Sequence, residues 1–531
     1  MKLSYDGVFE HRQEWEKAGF VLPAFSMEQV RKETAEHPVW VHFGAGNIFR
    51  AFQANVVQEL LNAGKMKTGL IAVEGYDYEI IDKMYQPHDN LGILATLKAD
   101  GNVDKTVVGS IMEALTLDSD NTQNMTRLSQ IFTNPSLQMA SFTITEKGYS
   151  LVDGKGSILP AAAQDMEQGT ERPVSYIGKV AALLYARYQA GALPIAMVSM
   201  DNCSHNGDKL YQAIHAFAQG WEQRGLVEKG FLAYVEDAHK VSFPWSMIDK
   251  ITPRPDASVE DMLRMAGVEN LEPVITGKNT YVAPFVNAEE CQYNFPNGRP
   301  ALEEGGVIFT ARETVDRVEK MKVCTCLNPL HTALAVFGCL LGYTLISKEM
   351  DNPVLKKLVE VIGYEEGLPV VVNPGVIDPK KFIDEVVNIR IPNPFMPDTP
   401  QRIATDTSQK LGIRFGETIK AYQRSGELSV SSLKRIPLVF AGWLRYLCGI
   451  DDKGEAFTLS ADPMLDTVCP YVADLKFGDT QVHEKVAPIL SNEKIFGVNL
   501  YEAGLGELTE QYFVEMLAGK GAVEATLAKY V

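Results

Sequence analysis

Several features that mark specialised protein classes are missing from this chain of 531 residues. No apolar run reaches the roughly 18 residues that a membrane-spanning helix needs. The first six residues also lack the apolar stretch of a signal peptide. The formal net charge of −18 disfavours a nucleic-acid partner, because neutralising phosphates requires a basic surface. We therefore expect a cytoplasmic protein with no membrane or nucleic-acid partner.

Cysteine is sparse as well. The seven cysteines are odd in number and scattered along the chain, which argues against a disulfide framework and favours free thiols. No Cys-x-x-Cys pair occurs, so we predict buried, inert thiols and no metal site. The alternative is a zinc site drawn from Cys203, His205, Cys291, Cys324, Cys326 and His331.

The clearest motif is a glycine turn between a short apolar run, 40–43, and a predicted helix, 50–61. Glycine permits a tight turn and lets backbone N–H groups approach a pyrophosphate at a helix N-terminus. A second apolar run ends in Glu74, where a ribose-binding carboxylate is expected, with Asp77 as a reserve. Phe49 replaces the third glycine of G-x-G-x-x-G, so an ordinary turn remains the alternative. The predicted nucleotide-binding residues are Gly44, Gly46, Asn47, Ile48, Phe49, Glu74 and Asp77.

The pattern of apolar residues divides the chain into three parts. Residues 1–37 are predicted to form an N-terminal arm, with a polar helix at 8–17 and a second helix from Ser26. Over 38–300, strand-like runs alternate with amphipathic stretches, which predicts a mostly parallel sheet covered by helices. Those runs lie at 40–43, 70–73, 139–144 and 195–200, with a helix at 175–189. Helical periods dominate 301–531, at 332–343, 353–362, 379–387, 400–411, 433–447 and 508–530. The predicted fold class is α/β, with a Rossmann-like N-terminal domain and a mostly α-helical C-terminal domain.

Two polar segments lie in the predicted α/β domain. Segment 199–207 follows an apolar strand and contains Asn202, whose amide could donate to a substrate oxygen; turn formation is the alternative. Segment 243–254 contains Asp249, for which a buried charge pair is the competing explanation.

A third polar segment, 319–331, carries the most chemistry. Pro329 suits the first position of a helix and Asn328 an N-cap, which puts His331 in the first turn. A continuous helix would separate Lys322 from His331 by about 13 Å, so the chain must turn if they are to meet. Partial desolvation disfavours a charged lysine, which can then take a hydroxyl proton. A surface lysine and a capping asparagine are the alternative.

A fourth segment is basic. Arg402 and Lys410 are eight residues apart, near one face of the helix predicted over 400–411. They could clamp a carboxylate or several hydroxyls. The alternative is a solvated basic face that includes Asp406.

Taken together, these segments resemble the polyol-specific long-chain dehydrogenases and reductases, the group of mannitol 2-dehydrogenase and the hexuronate reductases. The resemblance runs from about residue 38 to 470 and is carried by ordered short matches. They are the glycine turn with Arg50, 143–149, Asp201-Asn202 with Asn206-Gly207, 243–249, 295–300, Glu319 with Lys322, Asn328 with His331, and Asp462-Pro463.

The resemblance implies a metal-independent, NAD-linked secondary alcohol dehydrogenase. By matching motif, Lys322 would be the general acid/base and Glu319 its neighbour in proton transfer. Asn202 and Asn328 would hold the substrate oxygen, and His331 would orient the substrate. Arg402, Lys410 and Asp249 would contact the rest of the substrate.

The chain departs from the family pattern in two places. After the asparagine, family members commonly have Gly-Ser or a similar pair, whereas this chain has Pro329-Leu330. The other departure is a spacing. Family members usually have Lys-x-x-x-x-Asn, whereas five residues separate Lys322 from Asn328. On a continuous helix one extra residue rotates the lysine by about 100°. A π-bulge or a non-helical start would absorb it. Otherwise Lys320 must be considered instead.

By the same resemblance, our first hypothesis is a hexuronate reductase that interconverts D-fructuronate and D-mannonate. A tagaturonate reductase is the nearest alternative, followed by a neutral polyol dehydrogenase. Zinc alcohol dehydrogenase chemistry and a non-catalytic nucleotide sensor belong to other classes. Because Glu74 should repel a 2′-phosphate, we expect NAD rather than NADP. The expected partner is a small sugar acid or polyol, and either a monomer or a small homo-oligomer is compatible with the sequence.

Overall fold

The computed structural model describes residues 1–98, 100–153, 156–248, 252–289, 302–304, 306–394, 396 and 398–531. Two compact units make up the chain. The first comprises Met1–Lys98 and Asn102–Arg312, and the second contains Glu313–Val531. The first unit is α/β and the second is helical, which confirms the predicted fold class.

All strands among the described residues lie in the first unit. They are β1 (Phe20–Val21), β2 (Trp40–Phe43), β3 (Leu70–Glu74), β4 (Gly92–Leu97), β5 (Val103–Val108), β6 (Ile111–Thr116), β7 (Met139–Phe142), β8 (Ile195–Ser199), β9 (Val241–Ser242), β10 (Val274–Ile275), β11 (Tyr281–Val282) and β12 (Phe285–Glu289). The strand predictions at 40–43, 70–73, 139–144 and 195–200 match β2, β3, β7 and β8 to within two residues at each end.

The main sheet has six parallel strands in the order β6-β3-β2-β7-β8-β9. Every side chain of β2 and β3 is buried, as expected where helices cover both faces of a parallel sheet. The strand order reverses between β2 and β7. In open α/β sheets, ligands bind at the carboxyl ends of the strands at such a switch point.

A smaller mixed sheet, in the order β1-β5-β4-β12, and the antiparallel pair β10-β11 complete the strands. The N-terminal residues belong to this layer, because β1 pairs in parallel with β5. The first unit's helices are α1 (Tyr5–Phe9), α2 (Arg12–Lys17), α3 (Met27–Glu36), α4 (Ala54–Asn62), α5 (Thr122–Thr133), α6 (Pro160–Gln168), α7 (Tyr176–Gln189), α8 (Asn206–Gln223), α9 (Phe231–Glu236) and α10 (Ala257–Met265). Two π-helical segments, Phe49–Gln53 and Ile81–Tyr85, and two 3-10 turns, Gln86–His88 and Glu146–Tyr149, also occur here.

The second unit packs helices around two nearly fully buried ones, α12 and α18. Its helices are α11 (Arg312–Met321), α12 (Asn328–Leu341), α13 (Ile346–Glu349), α14 (Pro353–Glu360), α15 (Pro379–Glu385), α16 (Pro400–Ile403), α17 (Glu417–Arg424), α18 (Arg435–Leu447), α19 (Leu465–Val472), α20 (His483–Leu490), α21 (Glu493–Phe496), α22 (Gly506–Met516) and α23 (Ala522–Tyr530). The π-helical segments are Lys322–Cys326, Val361–Gly367, Val386–Arg390 and Gly412–Gly416, and the 3-10 turns are Leu368–Val370, Thr407–Gln409 and Val430–Ser432.

Three of the predicted helices are wrong as single elements. The helix predicted over 8–17 is divided into α1 and α2, because His11 lies outside helical geometry with φ of −110° and ψ of 28°. The helix predicted over 400–411 ends at Ile403, because Asp406 adopts a left-handed conformation with φ of +54°. The helix predicted over 508–530 is divided into α22 and α23 by a turn with positive φ at Gly519 and Gly521. In the last two cases the break is a left-handed turn that an apolar period does not reveal.

The helical stretch Arg312–Leu341 is long and apolar enough to cross a membrane, judged by length and composition alone. Of its apolar window, 78% is buried in the protein. Such burial is typical of a core helix.

Candidate functional site

The glycine turn lies at the switch point of the main sheet. Gly44 follows β2 with φ of +109°, and a Cβ there would collide with the carbonyl oxygen of Thr143, which follows β7. Glycine is therefore required by both the backbone conformation and the close approach of the two strand ends. Because Gly44 follows β2 and Thr143 follows β7, the turn lies at the switch point, where a dinucleotide is expected to bind.

The residues after Gly44 leave room for a ligand. Apart from the two chain neighbours of Gly46, no heavy atom of the described residues lies within 4 Å of a Cβ placed on this glycine. The N–H groups of Asn47 and Ile48 open the helix and have no intrahelical acceptor, so they suit a phosphate. Phe49 differs, because its ring is fully buried and stacks on His42 at 4.3 Å between centroids. Only its backbone is available to a cofactor.

Glu74 connects the glycine turn to the loop after β3. One carboxylate oxygen accepts from the N–H of Ala45 at 3.0 Å, and the other accepts from the N–H groups of Tyr76 and Asp77 at 2.8 and 3.0 Å. A carboxylate has about four acceptor positions, so capacity for a ribose hydroxyl remains. Asp77 is buried and accepts from the Thr276 hydroxyl at 2.6 Å.

Two buried polar atoms at this edge have no partner among the described residues. They are the hydroxyl of Tyr176 and Oε1 of Gln53. The Tyr176 ring lies against Gly75, directly after Glu74, and Gln53 Nε2 contacts the Met200 sulfur at 3.3 Å. Buried polar atoms are normally hydrogen-bonded, and a dinucleotide brings many donors and acceptors. The residues at this edge therefore fit a nicotinamide dinucleotide.

Asn202 follows β8 and is exposed, but its neighbour Asp201 is firmly held. The Asp201 carboxylate accepts from the N–H groups of Ile144 and Thr145, both at 2.9 Å, and from the Tyr149 hydroxyl at 2.5 Å. Burial nevertheless raises the pKa of Asp201. This network fixes the backbone from which the Asn202 amide projects.

The loop after β9 is held to the same region. The Asn206 amide donates to the carbonyl and hydroxyl of Ser246, each at 3.0 Å, and Asn206 Oδ1 accepts from the Ser246 N–H at 3.0 Å. Asp249, predicted to bind substrate, lies outside the described residues.

In the second unit, a π-helical segment absorbs the extra residue between Lys322 and Asn328. It spans Lys322–Cys326, and the Leu327 N–H closes it on the Lys322 carbonyl at 3.1 Å. Leu327 then leaves helical geometry, with φ of −129° and ψ of −65°. Asn328 is the first residue of α12 rather than its N-cap, because Leu327 takes the capping position.

The environments of the two candidate lysines differ. Lys322 is 6% exposed, and its Nζ lies 5.0 Å from the centre of the Phe382 ring. Lys320 is exposed and donates to Asp316 at 2.8 Å. Glu319 is half-buried, three residues before Lys322. Since the π-helical segment exists, the condition that would have favoured Lys320 does not arise.

His331 lies among charged side chains near the start of α12. Burial lowers the pKa of His331 to about 4, with Asp398 opposing this shift and Arg390, Arg414 and Arg402 adding to it. The imidazole is therefore neutral at pH 7 and can both donate and accept a hydrogen bond. The arginine effects also mean that three cations lie close to it.

Arg402 lies close to His331, and Lys410 lies close to Arg402 and Arg414, although no continuous helix joins Arg402 and Lys410. Arg402 forms an ion pair with Asp398. Lys410 Nζ donates to the carbonyls of Ile403 and Thr405. Burial, followed by the charge of Arg414, lowers the pKa of Lys410 to about 8. The structure thus brings Arg402 near His331 and Lys410 near Arg402, through a helix that ends at Ile403 rather than the continuous helix that was predicted.

Four residues of interest were not predicted from the sequence. Arg390 and Arg414 surround His331, and Tyr176 and Gln53 present the unpartnered atoms beside the glycine turn. Arg390, Arg414 and Gln53 lie in π-helical segments and Tyr176 begins α7, and none of the four belongs to a sequence motif. Only their tertiary positions identify them.

The described residues contain no group of three or more His, Cys, Asp or Glu side chains arranged to hold a metal ion. The described cysteines are free thiols. Burial raises the pKa of both Cys324 and Cys326 to about 12. Such thiols are unreactive at neutral pH.

Comparisons with known proteins agree with this architecture. The family description "Mannitol dehydrogenase Rossmann domain" matches residues 39–283, and "Mannitol dehydrogenase C-terminal domain" matches residues 314–515. The D-mannonate oxidoreductase of Thermotoga maritima is 53% identical, over 100% of this chain and 99% of its own length.

Two solved structures are similar over nearly the whole chain. The mannitol 2-dehydrogenase of Pseudomonas fluorescens, in a ternary complex with NAD and D-mannitol, is 26% identical with a TM-score of 0.68, covering 100% of this chain and 99% of that one. A D-sorbitol dehydrogenase in substrate-free form is 23% identical with a TM-score of 0.76, covering 96% and 97%. The second likeness concerns the fold alone.

Proposed function

Because the chain belongs to the mannitol dehydrogenase family, we propose that it is an NAD-dependent oxidoreductase that interconverts D-fructuronate and D-mannonate. One observation carries the choice of a sugar acid. Three arginines lie close to the neutral His331, in the unit that also holds the buried Lys322: Arg390, Arg402 and Arg414. Lys410 lies close to two of them, Arg414 and Arg402. A cluster of this charge suits a substrate carboxylate. The 53% identity to a D-mannonate oxidoreductase supports the same substrate.

The first unit supplies the cofactor site in this proposal. The backbone of Gly44, Gly46, Asn47, Ile48 and Phe49 would hold the pyrophosphate. Glu74, with Asp77 behind it, would hold the adenosine ribose and repel a 2′-phosphate. NAD, when bound, supplies the hydride acceptor or donor. The open space at Gly46 and the unpartnered Tyr176 hydroxyl support this assignment.

Proton transfer is assigned to Lys322. In the reductive direction its ammonium donates a proton to the oxygen that becomes the hydroxyl, and in the oxidative direction its amine accepts that proton. Burial and the apolar Phe382 ring support this role, since they exclude water from the amine. Glu319, three residues earlier, would pass the proton to solvent.

Two amides would stabilise charge on the reacting oxygen. Asn202 follows Asp201, whose carboxylate is hydrogen-bonded, and Asn328 is the first residue of α12. Each preorganised donor is worth about 3 kcal/mol in a water-excluded site. His331 would orient the substrate, and Arg402, Lys410 and Asp249 would contact its remaining oxygens.

A side-by-side assay tests the proposal. NADH oxidation should be fastest with D-fructuronate, slower with D-tagaturonate, and slowest with D-fructose. NADPH should be a poor substitute, and a metal chelator should leave the rate unchanged. A preference for fructose would instead indicate a neutral polyol dehydrogenase, the activity type of the Pseudomonas fluorescens structure.

We further propose that the enzyme works in the cytoplasm on a small-molecule substrate, without nucleic-acid or membrane partners. The free thiols of the described cysteines support a reducing compartment.

A further inference from the structure

Arg414 is a half-buried cation that forms no ion pair with a described carboxylate. It lies in the π-helical segment Gly412–Gly416 of the second unit. Burial lowers its pKa to about 10, and no acidic group contributes to that value. Removing a charge from water is costly unless an opposite charge compensates it. Arg414 is therefore a site where an anion would be stabilised.

Its hydrogen bonds leave part of the guanidinium available. Nη1 donates to the Thr332 hydroxyl at 2.6 Å and approaches the Asn328 carbonyl at 3.5 Å. Within the part of the chain that the structure describes, Nη2 and Nε have no acceptor. These two groups form the side-on fork that binds both oxygens of a carboxylate.

Two other cations of this region already use their charge or their donors in contacts within the protein. Arg402 is paired with Asp398, and Lys410 is bound to two backbone carbonyls. Arg414 is held against Asn328 and Thr332, in the first turns of α12, and its charge acts on His331. It is thus fixed next to the residues proposed to hold the substrate.

We propose that Arg414 binds the substrate carboxylate through Nε and Nη2 and so sets the preference for sugar acids over neutral polyols. This inference rests on the proposed function, because it requires a sugar acid as substrate. It adds a specificity residue that lies four positions beyond the predicted Arg402–Lys410 pair.

The test compares Arg414→Met with Arg414→Lys, using both D-fructuronate and D-fructose. The Met variant should lose at least about 30-fold in kcat/KM for fructuronate, as expected when a buried charge pair loses one partner. Most of the loss should appear in KM, because the carboxylate is held equally before and during the reaction. Fructose kinetics should change less than about threefold. The Lys variant keeps the charge but not the fork, and should recover part of the loss.

Thr332→Val is the matched control, because it removes the Nη1 acceptor and leaves the Arg414 charge in place. Its effect on the two substrates should be equal. Equal losses for both substrates in Arg414→Met, or a loss confined to kcat, would overturn the inference and leave Arg414 with a packing role. If the Met variant fails to fold, the Lys variant decides by the same criteria. Failure of the wild-type protein to reduce fructuronate at all would instead refute the proposed function, and the inference with it.

Discussion

Replacing Glu349 should change how the stability of the second unit depends on pH. This side chain is 0% exposed, and neither carboxylate oxygen has a hydrogen-bond partner among the described residues. It lies at the end of α13 and packs against Gly338 of α12. Burial raises the pKa of Glu349 from 4.5 to about 9. The native protein therefore keeps this group protonated at neutral pH.

The sign of the effect follows from the two pKa values. Below pH 4.5 the Glu349 carboxyl is protonated in both the folded and the unfolded states, so its ionisation does not change the free energy of unfolding. Between pH 4.5 and 9 only the unfolded chain ionises, so the free energy of unfolding falls by about 1.4 kcal/mol per pH unit. The accumulated loss at pH 7 is about 3 kcal/mol.

Glu349→Gln removes this titration while preserving the shape of the side chain. Denaturant unfolding at pH 5 and pH 7 should show the variant gaining about 2.5 kcal/mol relative to wild type between the two values. Any constant cost of burying an amide cancels in that comparison. Glu427→Gln, at an exposed position, is the control and should show no such change. Parallel pH profiles for wild type and Glu349→Gln would refute the reasoning.

Two further predictions concern ligand binding. Lys410→Ala should reduce kcat/KM for fructuronate far more than for fructose. Because the pKa of Lys410 is about 8, the wild-type KM for fructuronate should rise as the pH passes 8 and the lysine loses its charge. Steady-state kinetics from pH 6.5 to 9.5 test both expectations, and equal losses for the two substrates would reject a role in binding carboxylate. Tyr176→Phe should weaken NADH binding about fivefold, the value of one hydrogen bond, measured by fluorescence titration. Tyr234→Phe, whose hydroxyl bonds the Leu193 carbonyl at 2.6 Å, should leave that affinity unchanged; unchanged affinity in both variants would contradict the Tyr176 assignment.

The strand positions were predictable because their signal is local. The run 70–73 is apolar throughout and the run 40–43 is apolar except for His42, as expected of strands covered on both faces. The position of Glu74 at the end of β3 followed from the same runs. Its bonds to Ala45, Tyr76 and Asp77 did not, because they depend on how the loop after β3 returns to the glycine turn.

The π-helical segment after Met321 was predictable from the number of residues between Lys322 and Asn328. One extra residue before Asn328 suggested either a π-bulge or a non-helical start, and the structure contains a π-helical segment followed by the irregular Leu327. The break at Asp406 gave no comparable signal. It is stabilised by the bond from the Asp406 N–H to the Ala461 carbonyl at 2.8 Å, a contact between residues 55 positions apart in the sequence.

The charge cluster around His331 could be predicted only in part. Arg402 and Lys410 were recognised through their spacing, although the continuous helix assumed for them does not exist. Arg390 and Arg414 lie in π-helical segments that separate helices. Their approach to His331 results from helix packing, which no local pattern encodes.

The central claim is that the Lys322 amine exchanges the substrate proton, and Lys322→Met tests it most directly. Turnover of fructuronate and the dissociation constant of NADH should be measured on the same preparation, with Lys320→Met, at the exposed neighbouring lysine, as the control. The account predicts that Lys322→Met loses about 10² to 10⁴ in kcat with NADH affinity retained, and that Lys320→Met stays near wild type. Turnover near the wild-type rate in Lys322→Met would contradict it.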